Sequence, residues 1–333
     1  MTVRARRHQQ GISLVELMIS VALGLVILAG VAAVFVTSRH SYRVQESTAI
    51  LQDNARFAME TIGRALRDAG FTHGAPLTAM QWIPSSLDDS DAAACSAGWY
   101  ADIRRPIEIH NGAGATPLSG CTVSNYEAQT DVLVIRHADP LSAPGTGYLP
   151  RTEIEDLDGD TLLLRAIPAT RRVIYQRDAA TTVDSQFTDD DEDDGVFDYR
   201  FRARVFHVGV PSGATAAEGP ALYEHSPDFG NPDSQPIVSG VERFTLVAGM
   251  DRNGDGIVES WDNPEDVAAA DFVDISAIRV GLILRAPQRS EFADNTTYTL
   301  PDGDTYTPPD ALERFPRRLY VQDFQIRNHG RGG

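Results

Sequence analysis

An apolar run from Ile12 to Val36, broken by a single acid at Glu16, constrains this chain more than any other feature. Residues 1–11 read MTVRARRHQQG, a short leader that holds Arg4, Arg6 and Arg7 and no acid. The run is 25 residues long. As a helix it can cross the roughly 30 Å hydrocarbon layer of a bilayer. The leader arginines predict a cytoplasmic N-terminus and a body on the far side of the membrane. A glutamate at the fifth place of such a run costs roughly 2.5–3.5 kcal/mol on insertion scales, so it needs a partner.

A cleaved secretory signal, cut near the small residues Ala29 to Ala33, fits the length of the run. A plain single-pass anchor fits it too. Neither explains Glu16, and neither explains the pattern beyond Val36. From Thr37 to Ala69 there is no proline and only one glycine, Gly63. Apolar residues recur at Ile50, Leu51, Ala55, Ala58, Met59, Ile62, Ala65, Leu66 and Ala69, which is helical spacing. Gly70 then predicts a C-cap, and Pro76 follows it. Ile12 to Ala69 is expected to form one helix of about 87 Å at 1.5 Å per residue. Its first half would span the membrane and its second half would be amphipathic.

Basic leader, glycine, apolar residue and glutamate at the fifth place together resemble the N-terminus of type IV prepilins. The resemblance implies a prepilin peptidase cut after Gly11 and a new, N-methylated end at Ile12. It also implies that Glu16 faces the terminal amine of its own or a neighbouring subunit, pairing the charge within an apolar bundle. Two departures stand out. Ile12 takes a place where many members carry phenylalanine, and the membrane helix has Gly24 and Gly30 but not the proline usual in major pilins.

Beyond Gly70 the helical period fades into short β-like runs between Gly, Pro and Asp clusters. Strands are expected at Asp131–His137, Thr161–Arg165, Arg172–Gln176, Tyr199–Val208, Val241–Ala248, Ile275–Arg285 and Leu319–Arg327. Gly209–Pro236 and Phe292–Pro309 read as long loops. The succession VERFTLVAGMDRNGDGIVES, ISAIRVGLILRAP and YVQDFQIRN resembles the PilW group of minor pilins, which assist type IV pilus assembly. The fold implied is α+β and pilin-like, with a long N-terminal helix packed on an antiparallel sheet. The segments are a leader (1–11), an assembly helix (12–70) and a periplasmic β-rich body (71–333). Partners implied are other minor and major pilins, the prepilin peptidase and the inner-membrane assembly platform. The protein would leave the inner membrane for the pilus or its tip. A minor pseudopilin of type II secretion shares this N-terminus, though its body is usually shorter. A calcium-dependent adhesin anchored by a pilin helix is the alternative of another class.

The net charge is −18, and −21 once the three leader arginines are removed. So acidic a body will not bind nucleic acid through its overall field. All 29 basic residues are arginine, which excludes lysine chemistry. The G-x-S-x-G, H-E-x-x-H and P-loop signatures of enzymes are absent, and the eight histidines are scattered. Trp82, Trp99 and Trp261 read as core or rim residues.

Asp251 to Asp262 runs DRNGDGIVESWD and follows the spacing of a calcium loop. Asp251, Asn253 and Asp255 supply side-chain oxygens and Gly256 the sharp turn. Ile257 supplies a carbonyl, Glu259 the ninth place and Asp262 the twelfth. An affinity near the weak extracellular range of about 10⁻⁴–10⁻³ M is expected. The same residues also fit a hairpin turn held by its own Asx hydrogen bonds. Asp190, Glu192, Asp194 and Asp198 mimic the spacing in a run that reads as a solvated acidic loop. Asp156, Asp158 and Asp160 read as a hairpin turn. With the body outside the cytoplasm, Cys95 and Cys121 can pair, a bridge worth about 3 kcal/mol; two buried thiols are the other reading.

Overall fold

The computed structural model describes residues 13–72, 80–89, 92–114, 118, 123, 125–139, 147–167, 171–186, 196–215, 218–225 and 234–328. Helix α1 spans Leu14–Asp68. By internal contacts the chain divides into Met1–Ala49 and Ile50–Gly333.

In the first unit the apolar side chains of α1 are exposed on every side, Leu14, Val26 and Val34 among them. Every backbone group inside such a helix is bonded within it, so a membrane can surround it. Ser20 and Thr37 satisfy their hydroxyls on the carbonyls of Glu16 and Ala33, four residues back.

In the second unit α1 is amphipathic. Leu51, Ala55, Ala58, Met59, Ile62, Ala65 and Leu66 are buried, whereas Gln52, Arg56, Glu60, Arg64 and Arg67 are exposed. Gly70, at φ 72°, stops the helix in the left-handed region. Its N–H then donates to Arg136 O at 2.9 Å.

Among the described residues the body holds two main sheets. The larger contains β1 (Met80–Ile83), β2 (Ile107–His110), β3 (Val132–Ala138), β4 (Leu162–Ile167), β5 (Arg171–Gln176), β6 (Phe197–Gly209), β7 (Ala221–His225) and β8 (Ser234–Ser239). Its path is β1-β5-β4-β6-β3-β2, with β7 joining β6 to β8. Thirteen-residue β6 is long enough to pair with β4, β3 and β7 in turn. The smaller sheet contains β9 (Val241–Met250), β10 (Ser260–Asp262), β11 (Ile275–Arg285) and β14 (Arg317–Gln325), in the order β10-β9-β11-β14. A short hairpin, β12 (Tyr298–Thr299) with β13 (Thr305–Tyr306), lays Leu300 and Tyr306 against Ile283 of β11.

One core cluster joins the buried stripe of α1 to Phe244, Leu246 and Ala248 of β9 and to Ile278, Val280 and Leu282 of β11. Phe324 of β14, Ile135 of β3 and Phe206 of β6 belong to it as well. Residues i and i+2 of each strand share the inward face, as pleating requires. A second cluster lies around Trp99 and Tyr100 on the short helix α2 (Ala97–Ala101), with Val134 and Leu164. Asp131 joins the two sheets. Its carboxylate accepts Gly112 N–H at 3.1 Å and Leu246 N–H at 2.8 Å, while its own N–H donates to Phe244 O at 2.8 Å.

The expected strands are present, with bounds shifted by a few residues at most. The sheets are antiparallel-rich, with β1, a strand outside the expected set, pairing parallel to β5. Three expectations need correction. Gly209–Pro236 is not one loop: β7 and the start of β8 lie in it, because Leu222 and Tyr223 have β6 to pair with and to be buried by. Pro236 is tolerated because β8 is an edge strand. Phe292–Pro309 holds the β12–β13 hairpin. Asp156–Asp160 is not a hairpin turn, since it leads from helix α3 (Arg151–Glu155) into β4.

Two outcomes are expected from this packing. A Cβ at Gly63 would lie 2.3 Å from the Phe324 ring. Gly63→Ala should therefore lower stability by about 1–2 kcal/mol, read by thermal unfolding; an unchanged midpoint would refute the helix–β14 register. The second outcome concerns Asp131, whose carboxyl burial pushes up to about 7, against its two backbone N–H donors, with Asp302 and Glu265 adding to the rise. The folded state then binds the extra proton between about pH 4 and 7, so stability falls as pH rises through that window, by at most about 1.4 kcal/mol per unit. Asp131→Asn should flatten that slope; a slope equal to that of the parent would show that other groups cause it.

Candidate functional site

The features singled out in the sequence lie at separate places. Gly11 and Ile12 fall outside the described residues. Glu16 lies in the first turn of α1 and is exposed. It is the only charged side chain between Leu14 and Val36. Around it Leu14, Val15, Leu17, Met18 and Ile19 are all more than half exposed. A carboxylate there is favoured by the positive end of the helix dipole. In an apolar medium it still requires a cation close by. Among the described residues, α1 is the one helix long and apolar enough to cross a membrane.

The calcium-like sequence forms the connection between β9 and β10. Asp251 is buried, and its carboxylate accepts the N–H groups of Gly254 (2.6 Å), Asp255 (3.2 Å) and Gly256 (2.9 Å). Asn253 Oδ1 accepts Asp255 N–H and Asp255 Oδ1 accepts Ile257 N–H, both at 2.8 Å. Gly254 and Gly256, at φ 77° and 85°, provide the left-handed turns between them. Asn253 Nδ2 donates to Glu259 Oε1 and, at 3.3 Å, to Asp255 Oδ2. Four predicted ligands, Asp251, Asn253, Asp255 and Glu259, thus share one hydrogen-bonded loop. Asp262, in β10, instead pairs with Arg252 at 2.7 Å, and the Ile257 side chain is 66% exposed. The hard oxygens suit calcium in kind. In this arrangement they are engaged by backbone N–H groups and by the Asn253 amide, so an ion would have to displace that amide. Among the described residues, no group of three or more His, Cys, Asp or Glu is gathered to hold a metal.

Cys95 lies at the rim of the Trp99 cluster, at φ 65°; Cys121 lies outside the described residues. So does the acidic run Asp189–Asp194. Asp198, which the sequence places in the same acidic pattern, sits in β6 and takes a two-pronged bond from Arg165, both contacts at 2.9 Å. Tyr175 donates to the same carboxylate at 2.8 Å. Trp99 is buried and Trp82 donates to Ala101 O, whereas Trp261 is 38% exposed beneath the Arg279 guanidinium.

Sequence reading missed the buried charge clusters. Glu242 of β9 receives Arg317 of β14, Arg285 of β11 at 3.0 Å and the Tyr306 hydroxyl of β13 at 2.8 Å. One carboxylate thus ties three strands and the hairpin together. Burial pushes the Tyr306 hydroxyl up to about 12, helped by the Glu242 charge. A second cluster sets Glu108 of β2 against Arg136 of β3 at 2.9 Å. Burial opposes the charge on Glu108, but Arg136, His110 and Arg105 together hold its carboxyl down at about 2. The signal available was an arginine or glutamate inside an otherwise apolar strand run, as in VLVIRHA and VGLILR.

Comparison with known proteins gives two family matches. Residues 6–32 match the prokaryotic N-terminal methylation motif. Residues 205–328 match the family described as type IV pilus-assembly protein W. Among solved structures, a type IV-like pilin from Thermus thermophilus aligns at 14% identity with a TM-score of 0.36, over 84% of this chain and 98% of that one. No curated protein matches. A methylation motif at one end and a pilus-assembly protein W segment at the other support reading this chain as a type IV pilus minor pilin.

Proposed function

We propose that this protein primes or supports type IV pilus assembly, in a complex with other minor pilins that sits at the pilus tip. The observation that carries this reading is Glu16, a lone acid on an exposed apolar helix inside a methylation motif. The precursor enters the inner membrane with its leader in the cytoplasm and its body in the periplasm. The prepilin peptidase cuts after Gly11, and Ile12 becomes the methylated end. Glu16 then pairs with the terminal amine of a neighbouring pilin. That pairing sets the register of packed helices, because an unpaired carboxylate in an apolar bundle is strongly disfavoured. The body docks other subunits; the protein acts by binding, not by catalysis. A bridge between Cys95 and Cys121 would fasten the segment around the Trp99 cluster.

Gly11→Ala should leave a full-length, membrane-held precursor, while Glu16→Ala should be cut normally and yet fail to join a filament or priming complex. N-terminal mass spectrometry and co-purification with pilins read the two outcomes. Normal cleavage of the first variant, or normal assembly of the second, would overturn the reading.

The loop Asp251–Asp262 is proposed to take calcium, with Asp251, Asn253, Asp255 and Glu259 as side-chain ligands and Ile257 as the carbonyl ligand. Support comes from the spacing and from one amide, Asn253 Nδ2, holding Asp255 and Glu259 together. Titration calorimetry should show a site of about 10⁻⁴–10⁻³ M that disappears in the double variant Asp251→Ala, Asp255→Ala. Equal heats in parent and variant would remove the site.

A further inference from the structure

We propose that the free edge of β14, with the groove beside it, takes up an extended acidic segment of a neighbouring subunit as an added strand. The proposal does not depend on the role of Glu16, which concerns the other end of α1.

The edge itself is the first observation. Among the described residues β14 pairs only with β11, over nine positions from Arg317 to Gln325, without a register shift. Ile326 N–H donates to Ser276 O, and the pair Ile326–Ser276 continues the same register. Bonded pairs alternate along an antiparallel ladder. The even positions of β14 therefore bond to β11, and Leu319, Val321 and Asp323 turn their N–H and C=O groups outward. Arg317 has the same parity, and its carbonyl does face away, accepting the Tyr298 hydroxyl at 3.2 Å.

Proteins protect such edges by keeping them short, by charged side chains, by proline, by bulges or by cover, and of these β14 carries the charges of Arg318 and Asp323. The remaining sheet edges follow that rule. β10 has three residues, β1 and β2 four each, and β8 carries Pro236. Past the end of β10, the edge of β9 is met by Asp131. β14 has neither proline nor bulge, and Val321 at its centre is 50% exposed.

Charge is the second observation. A groove of about 490 Å³ runs between α1 and β14, lined by Ala55, Arg56, Met59, Arg67, Tyr320 and Val321 among others. Arg56 and Arg67 are exposed and have no ion pair among the described residues. Glu60, on the same wall, is already engaged by Arg64 at 3.1 Å. In a chain with 47 acids and 29 arginines, two unpaired guanidiniums beside an open edge form a local inversion of charge. A second copy of β14 would bring further arginines and repel. An extended segment with carboxylates on its helix-facing side complements the groove. Its backbone bonds to Leu319, Val321 and Asp323, and its apolar side chains lie beside Val321.

The test uses the full chain in detergent with two synthetic nine-residue peptides, one alternating valine with glutamate and the other valine with lysine. Hydrogen exchange of single amides is the readout. The glutamate peptide should protect the amides of Leu319, Val321 and Asp323, and the lysine peptide should not. Val321→Pro removes one outward N–H and leaves the pairing with β11 untouched, so it should abolish protection while the melting temperature holds. Arg56→Glu with Arg67→Glu, both on the exposed helix face, should weaken the glutamate peptide about tenfold. Absence of protection by the glutamate peptide, equal protection by both peptides, or full binding to the double arginine variant would each overturn the proposal.

Discussion

The contact of the amphipathic stretch of α1 with the inward faces of β9, β11 and β14 is what the rest of the body depends on. It buries an alternating set of strand residues, Phe244, Leu246, Ile278 and Val280, under a stripe of Ala55, Ala58, Ile62 and Leu66. Alanines on the stripe bring the helix close to the sheet, and at Gly63 the approach is so tight that the Phe324 ring occupies the place of a Cβ. Each buried Leu, Ile or Phe contributes on the order of 2 kcal/mol by leaving water. The larger sheet reaches the same cluster through Ile135 and Phe206, so a single core holds both sheets.

Arginine carries the positive charge throughout this chain, and the structure gives that choice a physical use. Its planar fork lets one side chain meet two oxygens, as Arg165 does with Asp198 and Arg317 with Glu242. A buried carboxylate with one partner would be poorly compensated. Glu242 instead has two guanidiniums and a tyrosine hydroxyl. These clusters sit where strands from distant parts of the chain meet. Asp131 differs from these clusters, as a buried carboxylate that receives two backbone N–H groups and faces further acids.

The loop Asp251–Glu259 shows how one spacing serves two purposes. Asp251 accepts three N–H groups, and Asn253 and Asp255 each accept the N–H two residues on. Each of these bonds is local, while Asp251 N–H donates to Asp274 O at 2.8 Å and so ties the loop to the segment that leads into β11. The calcium reading takes the same oxygens and asks them to turn toward an ion.

The order of residues was enough to specify the long helix, its exposed apolar half, the helix stop at Gly70 and the main strands, Ile275–Arg285 to the residue. These depend on period and on single-residue conformational preferences, which are local properties of a chain. Glu16 was legible for the same reason, being one charge against an apolar background. Folding in three dimensions was needed for the parallel pairing of β1 with β5, for strands β7 and β8 inside a stretch rich in glycine and proline, and for the β12–β13 hairpin over Ile283. It also settled which acids meet which arginines, how Asp262 turns to Arg252, and that β14 is left as an open edge beside Arg56 and Arg67. Such pairings join residues far apart along the chain, as Asp131 meets Leu246 and Glu242 meets Arg317. No local pattern encodes them, because the partner that makes each one favourable arrives only when the chain has folded.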